Sequence, residues 1–156
     1  MLWLGWFGFN GGSALAANGL AAHAFVTTFL AAATAFLAWM LYDWVLYGKP
    51  TAVGGAVGLV VGLVVITPAA GYVTPGHAML MGLLGGVVCN FVSRLVKKAT
   101  HLDDALDVFA CHGVGGIIGA VLTGMLASKA VNPAIVNEGW LISGDTTLLM
   151  ANLKAT

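Results

Sequence analysis

His112 lies about a third of the way into an apolar run, residues 105–127, of a 156-residue sequence. An ionisable side chain inside such a run is costly, which makes it a functional candidate by default. At α-helical spacing its neighbours are Val108, Gly115, Gly116 and Gly119, an apolar face of small residues with room beside the imidazole. No carboxylate lies one turn away on that face. The ring is therefore predicted to be neutral, because burial disfavours the cation. A neutral imidazole donates one hydrogen bond and accepts another. That suits a small neutral or proton-exchanging solute, not a fixed metal. The other reading is a core histidine bonded to a backbone carbonyl.

Near the N-terminus, Trp6, Phe9 and Ser13 gather where a first apolar segment ends. If the helix continues that far, Phe9 and Ser13 are one turn apart. An aromatic face beside a hydroxyl holds a small cation by cation–π attraction and one hydrogen bond. The alternative is the aromatic belt of any membrane protein. Asp103, Asp104 and Asp107 crowd the start of the run that bears His112. Carboxylates there gain roughly 0.3–1 kcal/mol from the helix dipole and cap open N–H groups. With Lys97 and Lys98 nearby, Asp104 and Asp107 are expected to be structural. Asp107 and His112 as the acid and base of a membrane-embedded enzyme are disfavoured, since residues five apart lie on different helix faces. There is no metal-ligand motif such as HExxH, and no metal or cofactor is expected. Cys89 and Cys111, without CxxC or histidine spacing, read as small buried hydrophobes. Asn90 and Ser93 are expected to make helix–helix hydrogen bonds, and His23, His77 and His101 to sit near interfaces.

Some element must carry these groups, and composition decides which. The chain is 60% apolar and 8% charged, with no net charge and a mean hydropathy of +0.96. Soluble domains carry roughly 25% charged residues, so a water-soluble globule is excluded in favour of an all-α integral membrane protein. Intrinsic disorder is excluded by the same numbers, and nothing marks a nucleic-acid surface. A spanning helix needs about 20 apolar residues. Full spans are predicted over residues 22–44, 52–73, 76–96 and 105–127, with the end of a helix at 1–9 and the start of one at 148–153. Pro68 is expected to break the second full span near its outer end. Glycines at four-residue spacing (Gly54, Gly58 and Gly62; Gly82 and Gly86; Gly115 and Gly119) supply close helix crossings. Lys49, Arg94, Lys97 and Lys98 fall on one side of the alternating loops and only Lys129 on the other. The positive-inside rule then makes turns 45–51 and 94–104 cytoplasmic. The first and last apolar segments look like parts of longer helices, so the chain reads as an excerpt from a larger membrane protein.

Three segments in order, Trp6-Phe7-Gly8-Phe9-Asn10-Gly11-Gly12-Ser13-Ala14, Ile66-Thr67-Pro68-Ala69-Ala70-Gly71, and Asp103-Asp104-Ala105-Leu106-Asp107-Val108-Phe109 followed by His112-Gly113-Val114-Gly115-Gly116, resemble the ammonium transporter (Amt/Mep/Rh) family. The resemblance covers nearly the whole chain. It implies a bundle of eleven membrane helices built from two inverted repeats. This chain matches the second repeat, from the end of the sixth helix through the tenth and the start of the eleventh. It implies ammonium or ammonia as solute, a lipid bilayer as environment, the cell membrane as location and a homotrimer as assembly. A cytoplasmic regulator of the PII type is a candidate partner. Residue by residue, His112 matches the second histidine of the family's pore pair, Phe9 one of two stacked phenylalanines closing the outer vestibule, Ser13 the hydroxyl of the outer recruitment site and Val108 a pore-lining apolar residue. A second reading is an ammonium-sensing module of a larger signalling protein. Half a pore should present His112, Val108 and Phe9 on an open groove.

Overall fold

The computed structural model describes residues 1–99, 104 and 106–156. The expectations for His101 and Asp103, and part of the turn 94–104, lie outside the described residues. Among those described there are only helices and turns, in the order α1 (Leu2–Gly12), α2 (Gly19–Tyr47), α3 (Ala52–Ile66), α4 (Pro75–Ala99), a π-helical turn (Phe109–Val114) running into α5 (Gly115–Leu126), α6 (Trp140–Ser143) and α7 (Thr147–Ala155). Among the described residues, three helical stretches are long and apolar enough to cross a membrane: Gly19–Tyr47, Pro75–Ala99 and Phe109–Leu126.

The second predicted span differs. Helix α3 has 15 residues, about 22 Å at 1.5 Å per residue, and stops two residues before Pro68. Turns carry the chain onward, with Ala69 and Tyr72 donating to the carbonyls of Ile66 and Ala69. Ala69, Ala70 and Val73 are buried. Irregular backbone at membrane depth is tolerated when it is enclosed by protein and its polar groups are satisfied. Here Thr27 Oγ1 donates to the Ala70 carbonyl at 2.7 Å and His23 Nε2 lies 2.8 Å from that of Val73.

Helix α2 is the spine. Its buried stripe is mostly alanine: Ala24, Ala31, Ala32, Ala35 and Ala38. Two glycine ladders close on it. A Cβ on Gly58 would lie 2.5 Å from Trp39 Cβ, and one on Gly62 2.6 Å from Ala32 Cα, so α3 rests directly on α2. On α4, a Cβ on Gly86 would lie 2.7 Å from the Ala35 carbonyl. Side chains this small let backbones approach closely and exchange dispersion contacts along their length. Gly48, with φ of 75°, ends α2 in the left-handed conformation that a residue without Cβ adopts freely.

The two ends of the bundle are tied differently. At one end Arg94 of α4 pairs with Asp43 of α2 and lies 3.8 Å over the Tyr47 ring. Asn90 Nδ2 also donates to Asp43, at 2.9 Å. Lys49, which follows α2, and Lys97 share this end. At the other end Trp6 of α1 donates to Thr67 Oγ1 at 2.8 Å, and Ser128 donates its backbone N–H to the Tyr72 carbonyl.

Candidate functional site

His112 sits on the π-helical turn, and the segment before it is built to aim that turn. Asp104 accepts hydrogen bonds from the backbone N–H groups of Val108 and Phe109, at 2.8 and 3.0 Å, capping the helix start. Asp107 has φ of 55°, a left-handed conformation that aspartate visits more readily than most residues. Its buried carboxylate accepts from Ser93 Oγ and from Lys97 Nζ. The turn then packs Ala110 and Cys111 into the core, and His112, the next residue, faces out of the bundle.

The α-helical spacing put Gly115 and Gly119 on the histidine's face, and the structure corrects this. Both are buried: a Cβ on Gly115 would lie 3.5 Å from Val64 Cγ1 and one on Gly119 3.1 Å from Pro68 Cγ. The π turn carries more than 3.6 residues per turn, so the ring is rotated away from that packing seam. Gly116, with no atom within 4 Å of its Cβ position, flanks an open space. The His112 imidazole makes no hydrogen bond to another described residue. Val108 is 50% exposed and Phe9 62%.

Phe9 and Ser13 come together with Asn10, Thr67, Tyr72 and Asn132 around a cavity of about 240 Å³. Helix α1 extends through Gly12, and Ser13 Oγ donates to the Phe9 carbonyl at 2.9 Å. That leaves the hydroxyl oxygen free to accept. Trp6 meets Phe9 edge to face at 5.7 Å, while its N–H is committed to Thr67. Asn10, buried beneath, donates to Thr28 Oγ1 at 2.9 Å and fixes α1 on α2. Neither Val108 nor His112 lines this cavity. Pro68 packs between the end of α3 and Gly119.

Sequence reasoning missed Asp43. It lies inside the 22–44 run, where the rule that singled out His112 applies equally. It is 2% exposed and holds Asn90 and Arg94. Among the described residues, no three His, Cys, Asp or Glu side chains are grouped to hold a metal ion.

Long apolar helices crossing on glycine, with charged side chains confined to their ends and to the segment that leads into the π turn, define a helical membrane protein. The family can then be stated. The sequence model described as "Ammonium Transporter Family" matches residues 1–156, and the chain belongs to that family. It is 44% identical over 155 residues to the "Ammonium transporter" of Bacillus subtilis, covering 99% of this chain and 38% of that protein. The crystal structure of Saccharomyces cerevisiae Mep2 superposes with a TM-score of 0.90 at 40% identity, over 99% of this chain and 36% of that one. A structure titled "Sensor Amt Protein" matches with a TM-score of 0.84 at 29% identity, over 99% and 37%. The chain thus spans little more than a third of the length of these relatives.

Proposed function

We propose that this chain supplies one wall of a conduit that moves ammonium across the cell membrane. The observation that carries the reading is His112: an imidazole with no hydrogen-bond partner among the described residues, held facing outward by a capped π turn, in a member of this family. Phe9, Trp6 and Ser13 form the entrance. There a hydrated cation exchanges water for an aromatic face and a hydroxyl oxygen. Passage of the bare cation past apolar groups such as Val108 costs several kcal/mol. Deprotonation at the entrance and movement of ammonia along a neutral imidazole avoids that cost, with His112 alternately donating and accepting. Asp104, Asp107 and Pro68 are structural in this reading and touch no solute.

The same proposal places residues 22–44, 52–73, 76–96 and 105–127 within the bilayer, and turns 45–51 and 94–104 in the cytoplasm with the basic residues. The assembly is a homotrimer, and a PII-type regulator would approach from the cytoplasmic side. No enzymatic role is assigned. The sensor reading is favoured by one observation, the similarity to the solved sensor structure.

The test substitutes this chain for the corresponding part of the Bacillus subtilis transporter. The chimaera should take up ammonium and support growth when ammonium limits nitrogen. His112→Ala should cut uptake at least tenfold or change ion selectivity. Parental uptake with parental selectivity in that variant refutes the pore assignment. A chimaera that folds and binds ammonium without moving it favours the sensor.

A further inference from the structure

The glycines of α5 do different things. A Cβ on Gly119 would lie 2.4 Å from the Val65 carbonyl oxygen, and one on Gly124 2.8 Å from Leu149 Cα, so each is glycine because other backbone presses on it. Gly115 is buried. Gly116 has no such reason. Outside its own stretch of helix, no atom of a described residue lies within 4 Å of its Cβ position. Glycine inside a helix is less stable than alanine, because it has more backbone freedom to lose. Nothing in this chain's own packing offsets that cost at Gly116. Its angular position is informative. At 3.6 residues per turn, a residue four positions on overshoots a full turn. The π turn at Phe109–Val114 takes more residues to close. That shrinks the overshoot and sets Gly116 almost directly beyond His112, about 5–6 Å along the axis. Val108, four residues before His112, is 50% exposed. The outward face therefore runs from an apolar side chain, through an imidazole, to bare backbone.

We propose that Gly116 sets the width of the conduit beside His112 and so selects its solute by size. The inference rests on the conduit reading above and deepens it. The imidazole exchanges hydrogen bonds with the solute's nitrogen, which fixes where that nitrogen sits. Whatever the nitrogen carries then meets position 116. A methyl group there would stand about 1.5 Å out from the backbone. Carbon atoms in contact sit about 3.5–4.0 Å apart, so the added methyl displaces any solute atom that passes closer than that. Ammonia is a single heavy atom and keeps the remaining space. A methylated amine carries a second heavy atom, as large as the added methyl, and is excluded first. In this account Gly116 is glycine because the solute, and not a neighbouring helix, needs the room.

The test measures uptake of ammonium and of methylammonium side by side in the chimaera that carries this chain. Gly116→Ala should lower methylammonium uptake at least fivefold more than ammonium uptake, and Gly116→Leu should cut both at least tenfold. Folded yield and Tm of Gly116→Ala should equal or exceed the parental values, because the methyl meets nothing and alanine favours helix. Gly76→Ala, at the start of α4 and also with nothing within 4 Å, should leave the ratio of the two uptakes unchanged. A fall in Tm for Gly116→Ala means that another helix packs on the glycine and overturns the proposal. The parental ratio of uptakes in a folded Gly116→Ala variant overturns it too. A chimaera that folds but moves no ammonium at all overturns the conduit reading first, and this inference with it.

Discussion

Replacing Asp107 by Asn, Gly and Ala separates its two tasks, holding Ser93 and Lys97 and letting the backbone turn at φ of 55°. Asparagine keeps an oxygen for Ser93 and tolerates the left-handed conformation, but loses the charge. A hydrogen bond to a charged group contributes about 1.5–3 kcal/mol and a neutral one about 0.5–1.5, so the Ser93 bond weakens by about 1 kcal/mol. Lys97 is 49% exposed on its side chain. Water screens that pair, and its loss adds at most about 1 kcal/mol. The Asn variant should therefore lose about 1–2 kcal/mol. Glycine loses both bonds yet keeps the backbone freedom. Alanine loses both bonds and adds about 1–2 kcal/mol for the left-handed conformation. The expected order of stability is Asp, Asn, Gly, Ala, measured as folded yield by size-exclusion chromatography and as Tm in detergent. Ammonium affinity in the chimaera should stay within about twofold for Asn, because the carboxylate is buried against α4 and faces no solute. Parental yield and Tm with a large loss of affinity would refute the structural role. Equal stabilities for Gly and Ala would refute the backbone argument.

Gly62→Ala places a methyl group 2.6 Å from Ala32 Cα, and closer still to the Ala31 carbonyl. Carbon atoms in contact sit about 3.5–4.0 Å apart, so α2 and α3 must separate by about 1 Å, at a cost of about 1–3 kcal/mol. Gly76→Ala, with nothing within 4 Å, should leave Tm unchanged or raise it, and equal Tm values for the two variants would refute the packing account. Asp145 accepts from both the N–H and the hydroxyl of Thr147, and the side-chain bond, followed by the backbone one, holds its carboxyl below the ordinary aspartate value. A depressed carboxylate contributes stability above its unfolded-state pKa and loses it as pH falls through the folded one. The start of α7 should therefore loosen only at pH below the usual aspartate range. A Thr147 amide NMR shift that titrates at or above that range would overturn the assignment.

Much was legible before any coordinates, for a simple reason. In a bilayer every backbone polar group must be satisfied within the segment, so long apolar runs have helix as their main option. The run lengths in this chain, its lack of charge and its glycine spacing therefore settle an all-α membrane protein. Pro68 marks the end of α3 because proline removes a helix hydrogen bond. The motifs around Phe9, Pro68 and His112 point to the family because residue types in order survive any change of conformation. Tertiary structure decided the rest. Helical-wheel reasoning assumes 3.6 residues per turn. The turn at Phe109–Val114 departs from that because Asp107 enters it left-handed, pinned by Ser93 and Lys97 of another helix, and because Ala110 and Cys111 must reach the core. Hence His112 parts company with Gly115 and Gly119. Asp43 and Arg94 are 51 residues apart in sequence, and only the crossing of α2 with α4 makes them a pair. Gly54 looks like Gly58 and Gly62 in the sequence, and only the positions of Trp39, Asp43 and Thr51 around it show that it faces polar side-chain atoms where Gly62 faces the backbone of α2.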